Sequence, residues 1–401
     1  MADGIDITFL TQADDDATRT TQIQSVASKL AVFLGAAKAT LDIAIYDFRL
    51  TGDAADTVVN ALNAQAEAGI IVRLAYFKPK QHRTTAAQFA VHGQDPAPPP
   101  SHPFLGRLDP RIRQKGILEE IDTQKGITGT FDRSIEVEGI DGSGHLMHDK
   151  YIIRDANALT PTVWTGSTNF TDDAWGRQDN NIVIVQSADI AKLYATDFGE
   201  MWERESIGTT GRDDTGEAKV GDADVWASFA PGDGSRIDSM VSDLINGATK
   251  TVSIACMVIS SGGILAALAG AIDRGLTVSG IYDGPEMSEV EKAWGRSGKS
   301  ADKLALWEKV KAVLVAKHST PYTEGGPHDF MHNKAVSVDQ ARTVTGSFNF
   351  SANATHNAEN ILWIEEADIA QRYASYVASL ITKYGHANGG AQHVARRSRH
   401  T

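Results

Sequence analysis

Two stretches of the chain carry the same polar residues at the same spacing. Each follows the pattern His-x-Lys-x-x-x-x-Asp and then Gly-Ser-x-Asn, with ten residues between the two parts in the first copy and six in the second. One copy would be weak evidence, but two copies at the same place in a repeat are a strong signal. The motif residues are, in chain order, His148, Lys150, Asp155, Ser167 and Asn169, and then His332, Lys334, Asp339, Ser347 and Asn349.

The spacing within each motif predicts a phosphate site that contains a nucleophile. Residues two apart on a strand share a face, so His148 is expected beside Lys150 and His332 beside Lys334. A lysine ammonium neutralises non-bridging phosphate oxygens, and the motif asparagine adds a neutral hydrogen-bond donor. The Gly-Ser turn is expected to let the backbone approach the anion closely.

The elements that must position these motifs also occur twice. Hydrophobic periodicity and glycine stops predict strand, helix, strand, helix and strand at 7–11, 21–38, 40–48, 54–68 and 70–76, and again at 225–229, 235–248, 251–258, 264–274 and 276–282. Gly69 and Gly275 are expected to end the second helix of each series in a left-handed conformation. After the motif, each half closes with a strand and a helix, at 181–185 and 188–202, and at 360–364 and 367–384.

This order predicts an α/β fold of two homologous βαβ lobes, packed side by side as a pseudo-dimer. Each lobe is expected to be a mostly parallel (mixed) sheet flanked by helices. The predicted domains are an N-terminal lobe at 1–205 with the first motif, and a C-terminal lobe at 225–385 with the second. A Gly-, Thr- and Asp-rich stretch at 206–224 is interpreted as a connecting loop, and 386–401 as a polar tail.

Composition limits the class of protein. The chain has 401 residues, a formal net charge of -13, and no apolar run as long as a membrane span. No signal peptide is visible, so we expect a cytoplasmic protein, or one secreted by a non-Sec route or as a mature form. The single cysteine, Cys256, excludes an internal disulfide and is expected to be inert core. Core packing is likewise expected of Tyr46, Phe48, Trp164, Trp175, Met257 and Trp363.

The doubled motif resembles that of the phospholipase D superfamily, and the resemblance covers nearly the whole chain. It implies one active site at the interface of the two lobes, built from a histidine, a lysine and an asparagine of each, with no metal or other cofactor. One histidine would attack phosphorus, while the other would protonate the leaving alcohol and then activate water or an acceptor alcohol. The site would hold His148, Lys150 and Asn169 with His332, Lys334 and Asn349, and the motif residues Asp155, Asp339, Ser167 and Ser347 would support it.

The resemblance also implies a carboxylate or amide partner for each histidine ring, on a later strand. Aligning the two Asn-Ile pairs places Glu359 opposite Asn180, with Asp179 one residue out of phase. We therefore expect Glu359 to pair with His332, and Asn180 or a bulged Asp179 to pair with His148. Because a carboxylate favours the charged imidazolium, His332 is the expected general acid and His148 the nucleophile.

The motif specifies the bond that is cleaved but leaves three interpretations of the substrate open. The first is a phospholipase D that contacts phospholipid transiently at a membrane or micelle surface, with 103–105 contributing to an apolar groove. The second is a metal-independent nuclease, which the acidic net charge disfavours. The third is a non-catalytic phosphoanion-binding module. In each case no permanent membrane anchor is expected, and two motifs in one chain make a monomer sufficient for a complete site.

Overall fold

The structure is a computed structural model, and it describes residues 3–78, 113–114, 135–158, 160–208, 210–212, 214–297, 300–323 and 326–385. The apolar segment at 103–105 and the tail at 386–401 lie outside the described residues. The first half contains β1 (Ile5–Leu10), α1 (Asp16–Gly35), β2 (Thr40–Ile45), β3 (Phe48–Arg49), α2 (Gly52–Glu67), β4 (Ile71–Lys78), β5 (Arg113–Gln114), β6 (Ile135–Asp141), β7 (Lys150–Arg154), β8 (Thr162–Gly166), β9 (Phe170–Thr171), α3 (Asp172–Gly176), β10 (Asn180–Gln186) and α4 (Ala188–Arg204).

Among the described residues, the second half repeats the main order of this series, with an additional strand at its start and two additional helices in its middle. It contains β11 (Gly216–Val220), β12 (Ala223–Ala230), α5 (Gly234–Asn246), β13 (Thr251–Cys256), α6 (Gly262–Asp273), β14 (Thr277–Asp283), α7 (Gly284–Ser297), α8 (Ala301–Lys311), β15 (Leu314–Lys317), β16 (Lys334–Val338), β17 (Arg342–Gly346), β18 (Glu359–Glu365) and α9 (Ala367–Gly385). The interpretation of 206–224 as a loop is wrong for β11, which pairs with β12 at the edge of the second sheet.

Each half forms one large sheet, and both large sheets have the same internal order; β3 and β9 of the first half form a separate two-stranded sheet. Within the described residues the first runs β1-β10-β8-β7-β2-β4-β6-β5, and the second runs β11-β12-β18-β17-β16-β13-β14-β15. The pairs β2–β4 and β13–β14 are parallel, whereas the motif hairpins β7–β8 and β16–β17 are antiparallel. The predicted fold class is confirmed, but the sheets are mixed rather than mostly parallel, because strands outside the βαβ units pair antiparallel.

Local sequence explains where several of the helices begin and end. Asp15 accepts a hydrogen bond from the backbone N–H of Thr18 at the start of α1, at 2.8 Å, and Ser187 caps α4 through Ile190. Gly69 and Gly275 have φ values of +87° and +78° just beyond α2 and α6, as predicted. These left-handed residues turn the chain from each helix into the next parallel strand.

Two helices, α4 and α9, pack in the hydrophobic core between the two sheets. Helices α1 and α2 cover the outer face of the first sheet, and α5, α6 and α8 cover that of the second. Helix α4 contributes Tyr194 and Phe198 to an apolar cluster that also includes Phe229 of β12 and Tyr373 of α9. One core therefore extends across both halves, and it fixes the motif hairpins relative to each other. Among the helices that the structure describes, none combines the length and apolar character needed to cross a membrane.

Candidate active site

The two motif histidines lie at the contact between the halves. Each histidine lies two residues before the start of a strand, His148 before β7 and His332 before β16. The backbone N–H of His148 donates to the carbonyl of Ala358 at 2.8 Å, and that of His332 donates to the carbonyl of Asp179 at 3.0 Å. Both histidines were expected on a strand, but each lies just before one. Their backbones are held by the opposite half, ahead of β18 and β10.

The ring partners also cross between the halves, which overturns the predicted pairing. His148 Nδ1 lies 2.7 Å from Glu359 Oε2, and His332 Nδ1 lies 3.0 Å from Asn180 Oδ1. The carboxylate therefore belongs to His148 and the amide to His332, the reverse of the expected assignment. In both cases an oxygen lies on the Nδ1 side of the ring, which leaves Nε2 as the nitrogen that faces away from this partner. The hypothesis that His332 is the general acid assumed a carboxylate partner for its ring, and that assumption is wrong.

The Gly-Ser turns anchor these partners by a repeated set of hydrogen bonds. Ser167 Oγ accepts from the backbone N–H of Asn181 at 2.9 Å and donates to Asn180 Oδ1 at 2.8 Å. Ser347 Oγ accepts from the backbone N–H of Asn360 at the same 2.9 Å. A hydrogen bond from Ser347 also stabilises the ionised form of Glu359. Both serines therefore hold the strand that supplies the partner of the other half's histidine.

The glycines that precede these serines are required for a steric reason, which differs from the role predicted for them. A Cβ on Gly166 would lie 2.3 Å from the carbonyl oxygen of Asn181, and one on Gly346 would lie 2.2 Å from that of Asn360. No side chain fits at those distances, and φ at Gly166 is +129°. The glycines make room for a neighbouring strand, rather than for an anion approaching the backbone.

Both motif lysines are buried with their ammonium groups at the histidines. The Nζ atom of Lys150 donates to the carbonyl of His148, and that of Lys334 donates to the carbonyl of His332, each at 2.6 Å. All four side chains are at least nine-tenths buried, with the lysines about 1% exposed. The ammonium groups therefore lie in a low-dielectric setting, where their attraction for a phosphate is strong.

Mutual electrostatic effects show that these groups form one site. Burial, followed by the charges of both lysines, lowers the pKa of His148 and that of His332 well below the usual value. Burial lowers the pKa of Lys150 to about 8, and burial and the nearby Lys150 lower that of Lys334 well below its usual value. Burial raises the pKa of Glu359 to about 8 against the opposing effect of both lysines. A site with this excess of buried basic groups is prepared to receive an anion.

The motif asparagines have unused hydrogen-bonding capacity. Within the described residues, the Oδ1 atoms of Asn169 and Asn349 are buried and have no hydrogen-bond partner. Rotation of an amide exchanges its oxygen and nitrogen, so each side chain can offer N–H donors to a bound oxyanion. Among the described residues, no three His, Cys, Asp or Glu side chains are grouped to hold a metal ion.

The motif aspartates bind backbone amides at the far end of each hairpin. Asp155 accepts from the N–H groups of Lys38, Ala39 and Thr40, at 2.7–3.1 Å. Asp339 accepts from those of Thr249, Lys250 and Thr251, at 2.7–2.8 Å. Asp155 and Asp339 both adopt positive φ, +58° and +53°. Each carboxylate thus ties its hairpin to the chain entering β2 or β13, at a distance from the histidines.

Asp179 contacts no histidine ring, contrary to one of the predicted alternatives. Its carboxylate forms a buried ion pair with Lys317, with Nζ 2.6 Å from Oδ2. Gln12 N–H and the hydroxyl of Tyr384 donate to the same carboxylate, at 3.1 Å and 3.0 Å. The backbone carbonyl of Asp179 accepts a hydrogen bond from the backbone N–H of His332. The network around Asp179 therefore positions His332 from the first half.

Several residues at the site were missed or misassigned from sequence. Tyr46 was expected in the core, but its ring lies 5.0 Å from that of His148 and 5.1 Å from Lys150 Nζ. Asn181 and Asn360 cross the interface, where Asn181 donates to Asn333 at 2.8 Å and Asn360 to Asp149 at 2.9 Å. The Asn-Ile pairs that align the two halves were the sequence signal that could have identified Asn181 and Asn360. Trp164, Trp175 and Cys256 are buried in the core as predicted.

Comparisons with known proteins agree with the fold and with the family that the motifs resemble. The family model described as cardiolipin synthase, PLD-like domain, matches residues 30–202 and 241–381. A phospholipase D of Rickettsia bellii is 29% identical over 150 residues, which are 37% of this chain and 65% of that relative. A phospholipase D of Rickettsia felis is 46% identical over 43 residues, which are 10% of this chain and 22% of the relative. The chain thus spans less than two thirds of these curated relatives.

A solved structure extends the likeness in fold to almost the entire chain. Phosphatidylserine synthase of Haemophilus influenzae aligns with a TM-score of 0.57 at 12% identity, covering 95% of this chain and 93% of that one. Polyphosphate kinase of Porphyromonas gingivalis aligns with a TM-score of 0.51 at 9% identity, over 94% of this chain and 47% of the kinase. At these identities the likeness shows a shared arrangement of two halves.

Proposed function

This chain belongs to the phospholipase D superfamily, and we propose that it is a phosphodiester hydrolase and transferase that works through a covalent phosphohistidine. The observation that carries the proposal is the reciprocal pairing of the rings, in which His148 contacts Glu359 and His332 contacts Asn180. Neither half supplies the ring partner of its own histidine, so the site is complete only when the two halves are packed together. A single phosphate between them would contact groups from both halves.

In the first step, His148 Nε2 attacks phosphorus and the bond to the leaving oxygen breaks. Glu359 accepts from Nδ1 and offsets the positive charge that the ring gains as the nitrogen–phosphorus bond forms. The ammonium groups of Lys150 and Lys334 neutralise the equatorial oxygens, with the amides of Asn169 and Asn349 beside them. The proton for the departing alkoxide comes from His332 Nε2, so the leaving group departs as a neutral alcohol.

In the second step, water or an acceptor alcohol replaces the first leaving group. His332 Nε2 accepts the proton of this nucleophile as its oxygen attacks phosphorus, and the bond to His148 Nε2 breaks. The pairing supports these roles on a corrected argument. A ring without a carboxylate partner has the lower affinity for a proton, and is therefore the stronger acid toward a leaving alkoxide. His148 remains the nucleophile because its carboxylate stabilises the phosphorylated ring.

Phospholipid is the proposed substrate class, with hydrolysis or exchange of the head group as the reaction. The relatives from Rickettsia bear the name phospholipase D, and the full-length structural neighbour is named phosphatidylserine synthase. The net charge of -13 also opposes attraction of a polyanionic nucleic acid. These observations support a lipid substrate in preference to DNA or RNA.

The test compares lipid and nucleic acid directly, with EDTA present throughout. Purified protein is incubated with phosphatidylcholine vesicles, with and without a primary alcohol, and separately with single-stranded and duplex DNA. We expect release of choline, and formation of a phosphatidyl alcohol when the acceptor is present. His148→Asn serves as the inactive variant, and His356→Asn, an exposed histidine near the site, as its matched control. Cleavage of DNA alone would overturn the lipid assignment, and oxyanion binding without turnover would overturn the enzymatic one.

A further inference from the structure

Asp179 is placed to control both of the contacts that hold His332. Its backbone N–H donates to the carbonyl of Phe330 at 3.2 Å, and its own carbonyl accepts from the N–H of His332 at 3.0 Å. The next residue, Asn180, supplies the amide oxygen that lies 3.0 Å from the ring Nδ1 of the histidine. A shift of Asp179 would therefore move the backbone support and the ring partner of His332 together.

The side chain of Asp179 is fixed by groups from three distant parts of the chain. Lys317, at the end of β15, forms the buried ion pair with it, and the same Nζ atom lies 3.3 Å from the carbonyl of Phe330. The N–H of Gln12, ahead of α1, and the hydroxyl of Tyr384, at the end of α9, donate to the carboxylate as well. The Lys317 side chain thus joins Asp179 directly to the segment that leads into β16.

The equivalent position in the other half has no side chain that could be fixed in this way. Ala358 makes the same two backbone hydrogen bonds, to the carbonyl of Leu146 and from the N–H of His148, each at 2.8 Å. Its methyl group forms no polar contact. The ring of His148 instead has the carboxylate of Glu359 at 2.7 Å, and a charge-assisted contact of this kind is the stronger one.

The neutral partner of His332 suits its proposed chemistry but anchors the ring less firmly. A carboxylate on this ring would raise its affinity for a proton, whereas His332 has to give up a proton and later accept one. An ion pair one residue away can order the support without placing an unbalanced charge on the ring. A buried ion pair costs desolvation energy, so its presence beside this histidine calls for a function other than stability.

We propose that Lys317 is a positioning residue for His332, and that it acts through Asp179 to keep the ring where it can exchange a proton with the leaving or entering oxygen. The inference rests on the proposed function, because it assigns Lys317 to the steps in which His332 transfers a proton. Attack of His148 on phosphorus needs no such support. The two histidines should therefore respond differently when the ion pair is removed.

The test combines Asp179→Asn with Lys317→Met, because loss of both charges leaves neither one buried and unpaired. We expect kcat on phosphatidylcholine to fall about tenfold to a hundredfold, with less than about a twofold change in KM. A p-nitrophenyl phosphodiester has a leaving group that needs no proton, so its burst of p-nitrophenol should keep its rate. The steady phase after the burst should slow as lipid turnover does. Rapid-quench kinetics measure both phases, and urea denaturation shows that the variant is folded.

Arg73→Met is the matched control. Arg73 of β4 pairs with the buried Asp42 of β2 outside the site, with Nε 2.6 Å from Oδ1. Its loss should lower the free energy of unfolding and leave both kinetic phases within about twofold of the wild type. A double variant that slows burst and lipid turnover equally, or that changes neither, would overturn the positioning role alone. A wild-type protein that turns over neither substrate would instead overturn the proposed function.

A milder variant covers a double variant that fails to fold. Tyr384→Phe removes only the hydroxyl that donates to Asp179, and it keeps the ion pair and the ring beside Lys317. Lipid turnover should fall about twofold to fivefold, and the burst should keep its rate. Equal changes with both substrates, or no change with either, would count against the positioning role in the same way.

Discussion

The strand that follows the motif hairpin begins with Asn180 in the first half and with Glu359 in the second. Around these two residues the halves match closely, since a serine, a glycine and a backbone carbonyl are used in the same way on both sides. The exchange of an amide for a carboxylate therefore changes the group beside the histidine ring without changing the scaffold. Duplicated halves can divide a reaction into two roles by a few substitutions at equivalent positions.

The largest difference between the halves should appear when each histidine is removed. His148→Asn should lower turnover by roughly 10⁴-fold or more, because no covalent intermediate can form. His332→Asn should be similarly poor on lipid, yet it should release a burst of p-nitrophenol from a p-nitrophenyl phosphodiester, whose leaving group needs no proton. Rapid-quench kinetics measure this burst. A burst from His148→Asn in place of His332→Asn would exchange the two roles.

The ion pair of Asp179 and Lys317 exists on one side only, since the position equivalent to Asp179 is Ala358. Lys317→Met should lower the free energy of unfolding by about 3–5 kcal/mol, because it leaves a buried carboxylate without its cation. Asp179→Asn combined with Lys317→Met should recover much of that loss. Urea denaturation measures both values, and a double variant no more stable than the single one would show that the pair does more than balance charge.

Exchange of the ring partners should produce a smaller effect that is specific to each half. Glu359→Gln should lower kcat by roughly 10²-fold, because the phosphorylated His148 ring loses its balancing charge. Asn180→Asp should raise the pKa of His332 and shift the pH profile upward, with less than about a tenfold change in kcat. Profiles of kcat against pH distinguish these outcomes. Equal losses in both variants would contradict the division of roles.

The smallest effect is expected at the motif aspartates. Three backbone amides lower the pKa of Asp339 to about 2, below its ordinary 3.8. A depressed folded-state pKa contributes stability above pH 3.8, and that stability is lost as the pH falls toward 2. Asp339→Asn should cost about 1 kcal/mol at neutral pH and reduce the acid slope of stability. Thermal unfolding between these pH values measures the change in slope, and an unchanged slope would be inconsistent with the pKa shift of Asp339.

Much of the fold could be predicted from the sequence because its signals are local. Apolar periodicity predicted most helices and strands to within a few residues, and Gly69 and Gly275 end helices as expected. The connection before β12 was misjudged, because the edge strand β11 has only the weak alternation of Gly216–Val220. Its pairing with β12 is a tertiary effect that its own composition does not reveal.

The motifs identified the side chains that the structure brings together, but their spacing could not identify the partners of the two histidine rings. Aligning the halves assumes that equivalent residues serve their own half, whereas His148 takes Glu359 from the other. That exchange depends on how the halves pack, and no residue pattern within one half encodes it. Lys317 and Tyr46 belong to no motif, so only the packed structure brings them to the site.

The most direct test of the central claim is a crystal structure of the protein with tungstate. We expect one oxyanion between the halves, with His148 Nε2 in line with the metal centre of the oxyanion and His332 Nε2 on the opposite side. Lys150 and Lys334 should both contact its oxygens. Two separate oxyanions, each bound by one motif alone, would contradict a single shared site and the phosphohistidine mechanism that depends on it.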